Sequence, residues 1–313
     1  MREFDCAVVG AGPAGLTAAL YLARFRRSVI LFDGGRSRAQ WISQSNNFPG
    51  FPDGVSGDEL LQLLRTQLAR YDVTIRPRRI RRLVKNASYH LFDEADKEVR
   101  ARCVLLATGY VDTLPDVDWC AAAIDASAMR LCPVCDGFEA TDRRIGIWGP
   151  METCLEHAVF LRTYSRDVTI LSSSGPPSDD DASRADAAGI AVVQYVDARF
   201  DGKRCAFVTR DGNTHCFDIV YPFMGGVPTA HLAASIGADL DENGSIRVDS
   251  DQMTSISGLY AAGDVVDSLH QIAVAAAHSA TAATAMHAAL QTNFREAESL
   301  DVPDRRDTAA RQS

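Results

Sequence analysis

One short segment restricts the fold more than any other. Gly10, Gly12 and Gly15 form a G-x-G-x-x-G turn between an apolar, β-prone run at residues 5–9 and a stretch of helical periodicity at 16–24. From Ser28 the chain runs apolar to Phe32 and ends at Asp33, as suits a parallel strand covered on both faces. Strand, turn, helix and strand in that order make a βαβ unit with a right-handed crossover. Gly10 permits the tight turn, Gly12 lets the backbone approach a pyrophosphate, and Gly15 lets helix and strand pack closely. Pro13 and Ala14 complete the turn, where the N–H groups and positive dipole end of the helix face phosphates. Asp33 stands where a carboxylate can hydrogen-bond an adenosine ribose. The segment predicts a dinucleotide site and leaves FAD and NAD both open.

A second unit begins near Ile145: strand-like at 145–148, a turn at Gly149, helix-like at 152–164, and strand-like again at 168–171. Two such starts fit a chain of 313 residues, long enough for about two domains. With 46% apolar and 23% charged residues, a globular protein with a full core is expected. The net charge of −9 argues against general nucleic-acid binding, which needs a basic face. One basic run, Arg76, Arg78, Arg79, Arg81, Arg82 and Lys85, reads as a solvated strand edge or as a docking patch for an acidic partner. The start MREFDCAVVG reads as a strand, not a secretory leader. No stretch of about 20 apolar residues predicts a membrane span; residues 272–290 read as an Ala-rich buried or half-buried helix. Residues 172–181 read as a polar loop. Those after Gln291 read as a frayed tail or an exchanged arm.

Of eight cysteines, Cys6, Cys103, Cys120, Cys154, Cys205 and Cys216 are scattered, and only Cys132 and Cys135 form a C-x-x-C. That usage suggests a reducing, cytoplasmic setting and a redox or metal pair. Two intervening residues bring the sulfurs within disulfide reach across one turn. A helix starting just after the pair would lower the thiolate pKa, and exchange would run through thiolate attack and a mixed disulfide. A structural zinc site needs four ligands. No second C-x-x-C or H-x-x-x-H accompanies this one, so no metal is expected.

Further segments carry a family likeness. Gly258 to Asp264 reads G-L-Y-A-A-G-D, and Leu106-Ala107-Thr108-Gly109 reads L-A-T-G. Both resemble signatures of the two-dinucleotide-domain flavoproteins. Asn47-Phe48-Pro49-Gly50-Phe51 is similar to a segment of bacterial thioredoxin reductases that lies beside the isoalloxazine ring. Cys132-Pro133-Val134-Cys135-Asp136-Gly137 resembles the C-A-T-C-D-G motif of low-molecular-weight thioredoxin reductases, and the likeness runs from Phe4 to about Leu290. It implies an α/β fold of two Rossmann-like, three-layer domains: a discontinuous FAD domain, 1–115 and 241–313, and a central NADPH-type domain, 116–240. It implies FAD held by Gly10, Gly12, Pro13, Ala14, Gly15, Asp33, Asn47, Thr108, Gly109, Gly263, Asp264, His270, Gln271 and Ile272. It also implies that Cys135 faces the flavin, Cys132 attacks the outside partner, and Asp136 moves a proton to or from the dithiol. The implied partner is thioredoxin or a similar small disulfide protein, the implied assembly a homodimer. The two domains of this family must rotate for NADPH to reach the flavin.

The central unit departs from the family pattern. Its loop is Gly149-Pro150-Met151-Glu152-Thr153-Cys154, with Met151 where the second glycine would be. A methionine side chain is therefore expected where the pyrophosphate should approach. Ser172-Ser173-Ser174-Gly175 replaces the arginine segment that holds a 2′-phosphate, with Arg184 or Arg166 as a stand-in, or NADH used instead. His270-Gln271 replaces the customary Arg-Gln, and His270 or His278 reads as a proton relay or as a packed histidine. These departures resemble the subset of thioredoxin-reductase-like proteins that lack NADPH motifs, some of which take electrons from ferredoxin. Four readings stand: a disulfide reductase with a donor other than NADPH, a dithiol oxidase passing electrons to oxygen, an NAD(P)H-dependent thioredoxin reductase, and a non-catalytic flavin redox sensor.

Overall fold

The computed structural model describes residues 3–172 and 175–295. The chain opens with β1 (Glu3–Val9), α1 (Pro13–Arg24), β2 (Val29–Phe32), α2 (Gly57–Leu68) and β3 (Val73–Arg76), then a meander of β4 (Ile80–Lys85), β5 (Tyr89–Asp93) and β6 (Glu98–Leu106). With β15 (Leu259–Ala261) these form a seven-stranded sheet in the order β3-β2-β1-β6-β5-β4, β15 pairing with β6. The strands from β3 to β6, and β15, run parallel, and the meander is antiparallel.

The continuous apolar strands are explained by two cores. Successive side chains of a strand point to opposite faces, so Ala7, Val9, Ile30 and Phe32 enter one cluster while Cys6, Val8, Val29 and Leu31 enter the other. The second cluster takes Leu16, Ala18, Ala19 and Leu22 of α1 and Ala282, Ala283 and Met286 of α8 (Ile272–Ala289). Small alanines let α8 lie close against α1. The meander covers the other face through Leu83, Tyr89 and Leu91.

A short ribbon of β7 (Tyr110–Asp112) and β14 (Gly226–Pro228) carries the chain out of the first lobe and back, Val111 opposite Val227. Between them lie α3 (Cys120–Asp125), α4 (Pro133–Asp136), β8 (Ile145–Gly149), α5 (Met151–Leu161), β9 (Val168–Ser172), α6 (Asp179–Ala187), β10 (Ala191–Phe200), β11 (Cys205–Thr209), β12 (Thr214–Phe217) and β13 (Ile219–Pro222). The strands form a sheet ordered β12-β11-β10-β9-β8-β13. Its faces divide in the same manner, Ile147 packing with α5 and Trp148 with Phe207 and Phe217. Residues 230–238, numbered with the central unit on sequence grounds, carry α7 (His231–Ala234); Ala230, Leu232, Ala233 and Ala238 pack into the first lobe's core.

Two expectations are corrected. The polar run 172–181 contains the start of α6, because the Ser178 hydroxyl accepts the Asp181 N–H (3.2 Å) and Asp179, Asp180 and Asp181 suit the dipole of the first turn. The helix at the cysteine pair starts between the two sulfurs, with Cys132 as its N-cap and Pro133 first in the turn. In the basic run, Arg78 meets Glu94 (3.6 Å) and Arg82 lies over the Phe92 ring (3.5 Å). No described helix is long and apolar enough to cross a membrane. The tail reading falls almost wholly outside the described residues.

Candidate active site

The β1–α1 turn takes its shape from close backbone contacts. Gly10 has φ +111°, and a Cβ there would stand 2.1 Å from the Ala107 carbonyl oxygen. A Cβ on Gly15 would stand 1.8 Å from the Gly10 carbonyl oxygen. Gly12 differs: a Cβ would meet only the Ser37 hydroxyl, at 3.2 Å. Gly12 caps α1 without a side-chain hydrogen bond and Pro13 follows, so the first-turn N–H groups stay open to an anion. Gly15→Ala should therefore cost about 1–3 kcal/mol, because neither backbone can give way. The check is a lower denaturation midpoint together with a lower flavin-to-protein absorbance ratio.

The turn opens into a cavity of about 1070 Å³. Of the sequence-predicted residues, all but Gly15 and Asn47 line it. At one end Asp33 accepts the Gly35 N–H (2.9 Å) and faces Arg65 (3.1 Å). Thr108 donates to the Thr229 carbonyl (2.6 Å), tying the end of β6 to the returning chain. At the far end the cavity reaches α8 and the cysteine pair, and His157 and Phe223 of the central lobe close it, stacked at 3.7 Å.

Cys132 and Cys135 form a disulfide, Cα atoms 5.3 Å apart. The Gln271 side-chain N–H group donates to both sulfurs, at 3.3 Å and 3.4 Å. Asn47 donates to the Gln271 side-chain oxygen (2.9 Å) and to the Val134 carbonyl (3.1 Å). Asp136 also meets residues of the central lobe: Tyr221 donates to its Oδ1 (2.7 Å) and Arg130 stands 3.9 Å from Oδ2. Burial pushes the Asp136 carboxyl up to about 6, more than Tyr221 and Arg130 pull it back. Burial and the adjacent carboxylate raise Tyr221, so its hydroxyl stays a donor.

Residues with no motif complete the site. Arg38 grips Asp112 through two hydrogen bonds of 2.7 Å and reaches Asp264 at 2.8 Å. Burial opposes its charge, but the two carboxylates outweigh that and raise its pKa. Sequence reasoning had no signal for choosing Arg38 among its neighbouring arginines, nor for Tyr221 and Arg130. His270 packs on Tyr110 (4.9 Å). His278 lies outside the cavity lining, its buried Nδ1 without a hydrogen-bond partner among the described residues. Burial lowers its pKa.

Residues 4–281 match the family model of the pyridine nucleotide-disulphide oxidoreductases. The chain belongs to that family. The thioredoxin reductase of Streptomyces clavuligerus is 30% identical, over 86% of this chain and 88% of its own. A crystal structure of HlmI, 26% identical, covers 91% of this chain and 92% of its own with a TM-score of 0.85. The atypical thioredoxin reductase TRi of Desulfovibrio vulgaris Hildenborough, 29% identical over 92% of this chain and 97% of its own, superposes at 0.52. The protein is a thioredoxin reductase-like, flavin-dependent disulfide oxidoreductase, and its cofactor is FAD.

The residues present fit that cofactor. Gly12 leaves open the space that a side chain would fill, and the open first turn of α1 suits a pyrophosphate. The cavity joins this turn to the disulfide without interruption. When bound, FAD supplies an electron carrier that exchanges two electrons with a dithiol/disulfide couple.

The second nucleotide cleft of the family requires one correction. Met151 does not project into the approach of a pyrophosphate; it is 4% exposed and packs with Cys154, Leu155 and Ala158 in the central core. The first residue of a helix that follows a buried strand can turn its side chain inward, and Met151 does so. Glu152 remains exposed in the first turn. At the end of β9, Ser172 donates to the Gly175 carbonyl (3.2 Å); Ser173 and Ser174 lie outside the described residues. Arg184 pairs with Glu156 and with Asp181 (3.8 Å).

Proposed function

We propose that this enzyme reduces thioredoxin or a similar small disulfide protein with electrons from a donor other than NADPH, such as ferredoxin, and so belongs with the relatives that lack NADPH motifs. The observation that carries this reading is the commitment of Arg184. With Arg166 it is one of the two candidate replacements for the missing arginine segment, and it is already paired with two acids. Two charge-assisted contacts contribute roughly 1.5–3 kcal/mol each, so their loss weakens NADPH by about 10²- to 10⁴-fold. The exposed Glu152 adds negative charge at the first turn of α5.

The cysteine pair then works by exchange. Cys132, as thiolate, attacks a sulfur of the partner disulfide and forms a mixed disulfide, releasing one partner thiolate. Cys135 attacks Cys132, re-forms the internal disulfide and releases the second partner thiolate. Asp136, held near neutrality by burial, exchanges the proton with the dithiol. Relatives named thioredoxin reductases support the partner. Six free cysteines, five of them buried, suit a reducing, cytoplasmic compartment. The family is usually homodimeric, and we extend that to this chain.

Anaerobic titration of the flavin-loaded protein tests the donor. We expect stoichiometric NADPH and NADH to leave the flavin band unchanged over minutes, and reduced ferredoxin to bleach it. Prompt bleaching by NADPH would return the enzyme to the ordinary reductases. Rapid oxygen uptake on a dithiol with no added donor would reverse the direction of electron flow.

A further inference from the structure

We infer that Tyr221 is a positioning residue for disulfide exchange: its hydroxyl fixes the Asp136 carboxyl at the cysteine turn and acts on the reaction only through that carboxyl. This deepens the proposed exchange and rests on the reading that Asp136 takes the proton of the dithiol.

Tyr221 stands in β13 and is fully buried. Its hydroxyl donates to Asp136 Oδ1 (2.7 Å). Asp136 is the last residue of α4 and lines the cavity together with Cys132 and Cys135. The chain on either side of the disulfide is held to the same strand. Met129 pairs with Val220 in a parallel bridge, and the Arg130 N–H donates to the Val220 carbonyl (2.9 Å). The Arg130 guanidinium then donates to the main-chain carbonyl of Asp136 (3.3 Å) and to that of Ser127 (3.3 Å). With the backbone of the turn fixed relative to β13, only the Asp136 side chain remains to be placed. Tyr221 places it.

Hydrogen-bond chemistry leaves one arrangement. Arg130 faces the Tyr221 hydroxyl, and a guanidinium can only donate. Among the described residues the Tyr221 proton therefore has one acceptor, Asp136 Oδ1. Burial and the carboxylate keep that hydroxyl protonated. Oδ1 is thus occupied, and Oδ2 is the oxygen left to take a proton. When the reduced dithiol reacts, Oδ2 takes the Cys132 proton. The thiolate forms a bond to one sulfur of the partner disulfide, the partner S–S bond breaks, and its electron pair leaves on the second sulfur.

The charged groups that face Asp136 are Arg130 and, three positions on, Glu139. Burial and Glu139 favour the neutral acid, while Tyr221 and Arg130 favour the carboxylate. Tyr221→Phe keeps the ring in its buried place and removes the donor. A carboxylate that loses a donor is harder to form, so the proton acceptor appears only at higher pH.

Stopped-flow mixing of reduced holoenzyme with dithiobis(nitrobenzoate) reads the attack directly, because the released nitrothiolate is coloured and needs no proton. In the parent the rate should fall as pH drops below about 6. In Tyr221→Phe we expect this acid limb about one unit higher, so that attack is about fivefold slower at pH 6 and level with the parent at pH 9. In Asp136→Asn the limb should be absent, and adding Tyr221→Phe should change the rate by less than about twofold, as for a residue that acts through another. An unmoved limb in Tyr221→Phe would overturn the proposal. So would equal slowing by Tyr221→Phe in the Asp136→Asn background, since Tyr221 would then act on its own. Retention of the limb in Asp136→Asn would remove the proton role of Asp136 and the proposal with it. A parent that shows the expected shift yet fails to reduce thioredoxin would support the role of Tyr221 and remove the proposed partner.

Discussion

Cys135→Ser should yield a protein that still binds FAD but whose disulfide turnover has fallen by about a thousandfold or more, since the sulfur that closes the catalytic cycle is gone. Folding should suffer little. The bridge spans three positions and closes a very short loop, so it removes little entropy from the unfolded chain. With Cys135 absent, Cys132 can attack a partner but cannot be released. A stable mixed disulfide should therefore accumulate with an added disulfide protein and appear by mass spectrometry as the summed mass. Cys132→Ser should lose turnover to the same degree and trap nothing. Equal trapping by both variants would mean that the assigned order of the two sulfurs is wrong.

Asp136→Asn should slow turnover by about 10²- to 10⁴-fold, the usual range for a lost general acid or base, and should stabilise the protein at neutral pH. Folding raises this carboxyl from its ordinary value near 3.8 to about 6, so the fold favours the neutral form. That contribution is complete below about pH 4 and is lost as pH rises through about 6, where the buried carboxylate must ionise. The side chain is 13% exposed, so the difference is not dispersed by water and amounts to roughly 3 kcal/mol. The asparagine oxygen can still accept from Tyr221. Chemical denaturation at pH 7.5 and at pH 4 should show the variant ahead at the first and level at the second. A variant less stable at both would mean that Asp136 is held as a charged partner of Arg130.

The parts of this molecule that were legible in the sequence are those in which chain geometry itself demands a residue type. Gly10 and Gly15 leave no space for a Cβ, and a disulfide across one turn requires two intervening residues, so these motifs can be read without a structure. The doubly buried strands were legible because Val29, Ile30, Leu31 and Phe32 alternate between two cores. What escaped was set by contacts between distant segments. Arg38 meets Asp264 across 226 positions, and Tyr221 meets Asp136 across 85. No local pattern marks either. Met151 escaped for another reason: its position in the loop is plain, but the direction of its side chain depends on the core beneath α5. The start of α6 was hidden in a polar run, since serine and aspartate favour turns and helix caps alike.

We expect the disulfide and the flavin to act as one redox unit. Anaerobic reductive titration with dithionite counts the electrons each bound FAD commands. We expect about four, two for the flavin and two for the Cys132–Cys135 couple, falling to about two in Cys135→Ser. An uptake of about two in the parent protein, unchanged in the variant, would contradict it.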